Sequence, residues 1–230
     1  MMEEATSALY TASVWVLPVL LAITLHEAAH GFMALRFGDD TALRAGRVTL
    51  NPFRHVDRFG TLLLPALLLL VHSPILFGYA KPVPVNFSRL RHPKRDMIWV
   101  AAAGPGMNLL LALCAAMAFH LLPVFPESSQ EWLATNFENA IFINVILAVF
   151  NMLPLPPLDG GRVLVGLLPD TLAMPLARLE RVGIPILLAF LFILPMLGNA
   201  IGVNLNLFSW LVLVPAENVL RVIVFLAGLG

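Results

Sequence analysis

Charge is scarce in this chain: Asp, Glu, Lys and Arg together make up 12% of its 230 residues, about half the share of an ordinary soluble domain. So little charge cannot clothe a globule in water. The apolar set reaches 59% and the mean hydropathy is +0.86, so the chain reads as an integral membrane protein. Neither sign is in excess, with 14 Lys+Arg against 14 Asp+Glu. A basic surface for nucleic acid is therefore missing, and no nucleic-acid partner is expected. Cysteine is nearly absent. Cys114 alone cannot close an internal disulfide, and inside the apolar run from Leu109 to Leu122 it reads as a small packed residue. A basic leader is absent too: Glu3 and Glu4 stand where a secretory signal carries positive charge, so the first apolar stretch is expected to be retained. There is no internal repeat, low-complexity tract or polar linker, and residues 1–230 read as a single membrane-embedded domain.

What is present is a series of long apolar stretches. Six approach the roughly 20 residues that a spanning helix needs: Leu9 to about Leu35, Phe59 to Phe77, Met97 to Leu122, Phe137 to Leu158, Val182 to Leu197, and Leu205 to Leu226. The second contains Pro65, His72 and Pro74 and is bracketed by basic segments. If it crosses, the basic residues from Arg36 to Arg58 lie opposite those from Lys81 to Arg95. If it dips in and returns, thirteen of the fourteen basic residues share one face, Arg221 near the last helix's exit joins them, and Glu3, Glu4, Glu127 and Glu131 take the other face. Basic residues collect on the cytoplasmic side. The expectation is an all-α polytopic protein of about five to six transmembrane helices, one apolar segment being re-entrant, with its N-terminus outside.

The segments flanking that piece, Arg47 to Leu50 and Tyr79 to Asn86, have the composition of strands. Pro82 and Pro84 at alternate positions rule out a central strand and suit an exposed edge. A small β-hairpin or edge strand on the cytoplasmic side is the expectation, with a proline-stiffened loop as the equal alternative.

Chemistry concentrates in His26-Glu27-Ala28-Ala29-His30. Residues four apart share a helix face, so both imidazoles can reach one tetrahedral zinc ion. Glu27 lies beside that face, where it can take a proton from an attacking water. Three ionisable groups within five residues of an apolar span are costly unless liganded or paired, which favours a metal over a pair of satisfied core histidines. Catalytic zinc commonly takes three protein ligands. The third candidate is Asp159, after Asn151-Met152-Leu153-Pro154-Leu155-Pro156-Pro157-Leu158 and before Gly160-Gly161. Three prolines followed by two glycines must unwind that helix near its end and let the carboxylate swing toward a neighbour. A plain helix cap is the alternative for Asp159. With the second segment re-entrant, His26, His30 and Asp159 fall at comparable depth. Were it a full span, Asp159 would emerge on the far face.

The His-Glu-x-x-His sequence, Ala103-Gly104-Pro105-Gly106-Met107-Asn108, and Asn151 through Leu158-Asp159-Gly160 together resemble the site-2 protease family of intramembrane zinc metalloproteases. The stretches Gly38 to Ala42, Gly46 to Pro52 and Gly78 to Asn86 are similar to its compact bacterial branch. The resemblance covers roughly residues 20 to 170. It implies a catalytic core of about 8–170 with two additional spans in 182–226. It also implies that His26, His30 and Asp159 hold one Zn2+, that Glu27 is the general base, and that Asn151 supports the tetrahedral intermediate. Many relatives carry a PDZ or nucleotide-sensing module, for which this chain has no room.

The expected function is hydrolysis of a peptide bond in or near the transmembrane segment of another, single-span membrane protein. The expected site is the inner membrane, close to the cytoplasmic side. A helical substrate hides its carbonyls in its own hydrogen bonds, so it must be held extended, and pairing near Val83 and Val85 is one way to do so. Two other readings stand beside it: a membrane metal transporter, which would show inverted repeats that this chain lacks, and an inactive relative acting as a binding protein, against which the intact Glu27 argues. Asn108 and the Gly104-Pro105-Gly106 turn read as close helix packing. His55, His72, His92 and His120 read as structural or interfacial, and Trp15, Trp99, Trp132 and Trp210 as interfacial anchors.

Overall fold

The computed structural model describes residues 2–54, 57, 63, 67 and 81–230. Among these the chain is helical: α1 (Met2–Arg36), α2 (Thr41–Arg44), α3 (Pro93–Ala118), α4 (Glu127–Asn151), α5 (Asp159–Leu167), α6 (Asp170–Arg178), α7 (Gly183–Ala200) and α8 (Ser209–Leu226). Five helices, Leu9–Arg36, Pro93–Val124, Glu127–Asn151, Gly183–Ala200 and Ser209–Leu226, are long and apolar enough to cross a membrane. The expected re-entrant segment, Phe59 to Phe77, lies outside the described residues apart from positions 63 and 67.

The bundle is built the way lipid demands. Its interior is lined by small residues, among them Ala22, Ala34, Ala101, Ala112, Ala116 and Ala148, while Leu17, Phe32, Leu110, Met117 and Phe142 face outward. Large apolar side chains gain nothing by leaving hydrocarbon, whereas small ones let backbones approach. Cys114 is exposed on α3 instead of packed, a correction to the expectation. The central helix is α3, which packs against α1, α4 and α5.

Directions follow from the interhelix bonds. The α1 and α3 helices are antiparallel, since Ala22 meets Asn108 while His30 meets Val100. The α4 helix runs with α1: Trp132 Nε1–H donates to Ser13 Oγ at 2.9 Å and Asn139 Nδ2–H to the Val14 carbonyl at 3.1 Å. Trp132 is thus a bonded interhelix contact. The α8 helix closes the bundle through Ala216, Ile223 and Ala227, which pack on Ala112, Ala116, Ile141 and Val145. Phe208, just before α8, meets Phe150 with the rings tilted and their centroids 6.3 Å apart, and His120 Nε2–H donates to the Ala227 carbonyl at 2.7 Å. So α8 starts beside the C-terminal end of α4 and finishes beside the far end of α3. This corrects the expected position of Arg221: six residues from Ala227, about 9 Å along a helix, it lies toward the end opposite the other basic residues.

Gly183, at the start of α7, packs on the Pro156 carbonyl so tightly that a Cβ there would approach it to 2.0 Å. Both α7 and α8 therefore begin at the same end of α4. Each carries one widened turn, in which the Leu194 N–H reaches the Ala189 carbonyl and the Val214 N–H the Ser209 carbonyl, five residues back. Pro195 and Pro215 come next. A proline ring collides with the carbonyl four residues before it, and slipping the ladder by one residue relieves the collision.

Among the described residues there is no strand, which corrects the expected β-hairpin element. Arg47 to Leu50 bends, and residues 81–86 are irregular. Pro82 and Pro84 have no N–H to give a ladder, and two of the N–H groups that remain are taken by carboxylates. The Val83 N–H donates to Glu27 Oε2 at 2.7 Å, and the Asn86 N–H to Asp39 Oδ2 at 2.7 Å. Val85 and Phe87 pack beside Ala34, Leu90 and Val100. The segment is fastened by side chains, Glu27 of α1 and Asp39 just beyond it, and needs no neighbouring strand.

Candidate metal centre

His26 and His30 lie one turn apart on α1 and are both buried. Each uses Nδ1 to hold its ring. His30 Nδ1 faces the Val100 carbonyl at 2.7 Å, an oxygen that can only accept, so Nδ1 carries the proton. His26 Nδ1 faces Asn108 Oδ1 at 2.5 Å. The amide of Asn108 spends its Nδ2 on the Ala22 carbonyl and on Asn144 Oδ1, so it too offers His26 only an acceptor. Both rings therefore present bare Nε2 lone pairs to the interior.

Asp159 meets them there. It opens α5, which can tuck under the preceding turn only because residues 160 and 161 are glycines. A Cβ at Gly160 would lie 2.2 Å from the Met152 carbonyl oxygen, and one at Gly161 2.2 Å from the Pro156 nitrogen. Asp159 Oδ2 lies 3.2 Å from His26 Nε2 and 3.3 Å from His30 Nε2, and the two Nε2 atoms are 3.0 Å apart. The carboxylate is directed at the histidines, with no bond to its own helix end, so the cap alternative does not describe it.

The chemistry of this donor set tests the fit of a cation. Three lone-pair atoms converge in a buried site, and Asp159 Oδ2 has no hydrogen-bond donor. Left alone they repel one another; a cation between them satisfies all three. With ligand bonds of about 2.0–2.1 Å a tetrahedral zinc site has edges of about 3.3–3.4 Å, close to the observed triangle. The three residues are the described cluster of His, Cys, Asp and Glu able to hold a metal ion. Gly104 completes the cradle, since a Cβ there would come within 2.4 Å of His30 Nε2 and 2.6 Å of His26 Nε2.

Of the other expected site residues, Glu27 lies beside the cluster, half-buried, with one carboxylate oxygen held by the Val83 N–H. Asn151 is the last residue of α4, and its Nδ2–H donates at 3.0 Å to the Leu147 carbonyl of its own helix. The Val83 side chain is buried and Val85 is half-buried. His120 is structural, its ring tying α8; the His92 side chain is exposed, and only its backbone N–H is held, by Asp96 Oδ2 at 2.8 Å. His55 and His72 fall outside the described residues. Sequence reasoning missed Gly104 and Asn108 as site residues. The available signal was their own spacing of four, which mirrors His26 and His30 on the facing helix.

Asp39 anchors the far end of the 81–86 segment. It is fully buried and accepts from the Thr41 N–H at 3.0 Å, the Thr41 hydroxyl and the Asn86 N–H. Burial pushes its carboxyl up, but these bonds and the Arg89 charge outweigh it and hold the group below the usual carboxylate range.

A His–His–Asp centre inside a bundle of apolar helices, with a glutamate beside it that is not part of the cluster, defines a multi-pass membrane metalloprotease. Comparisons with known proteins agree. A model of "Peptidase family M50" matches residues 124–194. "Putative zinc metalloprotease YwhC" of Bacillus subtilis is 38% identical over 198 residues, covering 83% of this chain and 85% of that protein. "Putative zinc metalloprotease Rip2" of Mycobacterium tuberculosis is 32% identical over 199 residues, covering 85% and 74%. "Putative zinc metalloprotease MJ0611" of Methanocaldococcus jannaschii is 42% identical over 66 residues, covering 28% and 31%. No solved structure matches. The chain belongs to peptidase family M50, the site-2 protease family, and is an intramembrane zinc protease.

Proposed function

We propose that this protein is a zinc-dependent endopeptidase that cuts a peptide bond in or near the transmembrane segment of a single-span membrane protein. In this reading His26, His30 and Asp159 hold the metal, which lies toward the cytoplasmic side of the inner membrane. The observation that carries the reading is the convergence of three unpaired acceptors beside a glutamate that is not one of them. The basic residues around the C-terminal end of α1, the start of α3 and α5–α6 support the sidedness.

Bound zinc supplies Lewis-acid polarisation of the scissile carbonyl and acidifies water. The remaining work falls to the chain. Glu27 takes one proton from the attacking water as the new C–O bond forms. The peptide C–N bond then breaks, and Glu27 returns that proton to the leaving nitrogen. The Val83 N–H fixes one Glu27 oxygen, which keeps the base aimed. Asn151 supports the oxyanion by turning its Nδ2–H from the Leu147 carbonyl toward the substrate. The segment around Val83 and Val85 holds substrate extended through main-chain groups other than the Val83 and Asn86 N–H, which Glu27 and Asp39 occupy, since its valine side chains pack toward α1.

The test is Glu27→Gln. The amide oxygen can still accept from Val83, but it cannot accept the proton of water. Purified in detergent, the variant is expected to keep its zinc and lose cleavage of a single-span substrate by about 10²–10⁴-fold. A transporter or an inert binding protein would be indifferent to this change. Cleavage at the wild-type rate by the zinc-loaded variant would sink the mechanism.

A further inference from the structure

The two histidines of the centre are held differently, and the difference points beyond the ligands themselves. His30 leans on a backbone carbonyl, that of Val100. His26 leans on a side chain that is itself held by another. Asn108 is fully buried and Asn144 nearly so. Asn144 Nδ2–H donates to the Ala140 carbonyl at 2.8 Å, which can only accept, so Asn144 must turn its Oδ1 toward Asn108. Asn108 Nδ2 answers at 2.8 Å and also donates to the Ala22 carbonyl at 3.2 Å. Both amide protons of Asn108 are then spent. Its Oδ1 can face only His26 Nδ1, at 2.5 Å, and that nitrogen must carry its proton.

The relay runs across α4, α3 and α1 and has one self-consistent arrangement. We propose that Asn108, oriented by Asn144, is the positioning residue that sets the tautomer and ring angle of His26 and so the affinity of the centre for zinc. The proposal rests on His26, His30 and Asp159 being the metal ligands. Such supporting hydrogen bonds commonly change metal affinity by about 10–100-fold. Without Asn108 the Nδ1 proton of His26 loses its acceptor, so the ring can rotate or take the other tautomer, which puts a hydrogen where the lone pair belongs.

The experiment measures zinc affinity in the detergent-purified full chain by competition with a chromophoric chelator, together with the visible spectrum of the cobalt-substituted protein. Asn108→Leu, which fills the space without an acceptor, is expected to bind zinc about 10–100-fold more weakly and to shift the cobalt bands. Asn108→Asp keeps an acceptor for the Nδ1 proton and is expected to recover most of that loss. Asn144→Leu is expected to weaken binding by a smaller factor, and to add nothing in the Asn108→Leu background, because it acts through Asn108. Equal weakening by Leu and Asp at 108 would reduce Asn108 to packing and overturn the proposal, as would wild-type affinity in Asn108→Leu. If Asn108→Leu fails to fold, Asn108→Asp and Asn144→Leu carry the same decision. Asp159→Ala separates the two readings: zinc retained there removes the ligand assignment itself, while zinc lost there and kept in the asparagine variants removes only the relay.

Discussion

Adding one methyl group to Gly104 should empty the metal centre, whereas the same change two residues on should leave the centre filled. A Cβ at Gly104 would lie 2.4 Å from His30 Nε2 and 2.6 Å from both Nε2 and Cε1 of His26. An ordinary contact needs about 3.4 Å or more, so both rings or the helix must retreat by about 1 Å. The α3 helix cannot easily retreat, being packed against α1, α4 and α5. Overpacking of this kind costs about 1–3 kcal/mol of stability. The effect on the metal is larger, because ligand distances tolerate only about ±0.2 Å. Gly104→Ala is therefore expected to fold with a reduced melting temperature and to lose zinc affinity by at least about 100-fold, the upper range for supporting-residue damage. Gly106 is the control. It is exposed, with no atom within 4 Å of an added Cβ, and Gly106→Ala gains about 0.5–1 kcal/mol of helix propensity. Zinc per chain, measured by mass spectrometry after dialysis against a zinc buffer, reads the outcome. One zinc per chain in Gly104→Ala, with affinity unchanged, would refute the placement of the centre against α3.

Two further outcomes follow from the fold. In a Cys114→Ala background, cysteines at Arg47 and Arg91 should react with a membrane-impermeant thiol reagent from one side and a cysteine at Leu229 from the other. Labelling of all three from the same side would contradict the direction of α8 given by the His120–Ala227 bond. Asp39→Ala should cost about 1.5–3 kcal/mol for each charged hydrogen bond left unreplaced. The folded pKa of Asp39 lies below its unfolded value, so its contribution is complete above the ordinary carboxylate range and is lost as pH falls through that range toward the lowered value. Melting curves of wild type and variant in detergent should differ at pH 7 and converge in acid. A constant gap at both pH values would show that the carboxylate charge plays no part.

The cluster of His26, His30 and Asp159 was legible because it rests on local rules. Two histidines four apart on a helix share a face whatever surrounds them, and the prolines and glycines around Asp159 unwind a helix wherever it packs. The bond between Asn108 and His26 was not legible in the same way. An asparagine in an apolar helix announces a bonded partner, but whether that partner is a backbone carbonyl, another amide or a histidine depends on the register between helices whose contacting residues lie 82 positions apart. Val83 is a parallel case. Its composition suggested a strand edge, and the N–H that would have paired there is spent on Glu27.

Sequence alone determined the solvent, the apolar helices and three candidate ligand side chains with a glutamate beside them, since composition and helical period are properties of short stretches. Tertiary structure alone decided that α3 lays a glycine against the metal site and an asparagine behind His26. It also decided that the 81–86 segment hangs from Glu27 and Asp39 and that α8 carries Arg221 toward the far end. Helices that are apolar all round carry no stripe to say which face meets which neighbour. Their pairing is settled by small-residue contacts and by a few polar groups finding each other across the bundle, and those partners are fixed only when the whole chain has packed.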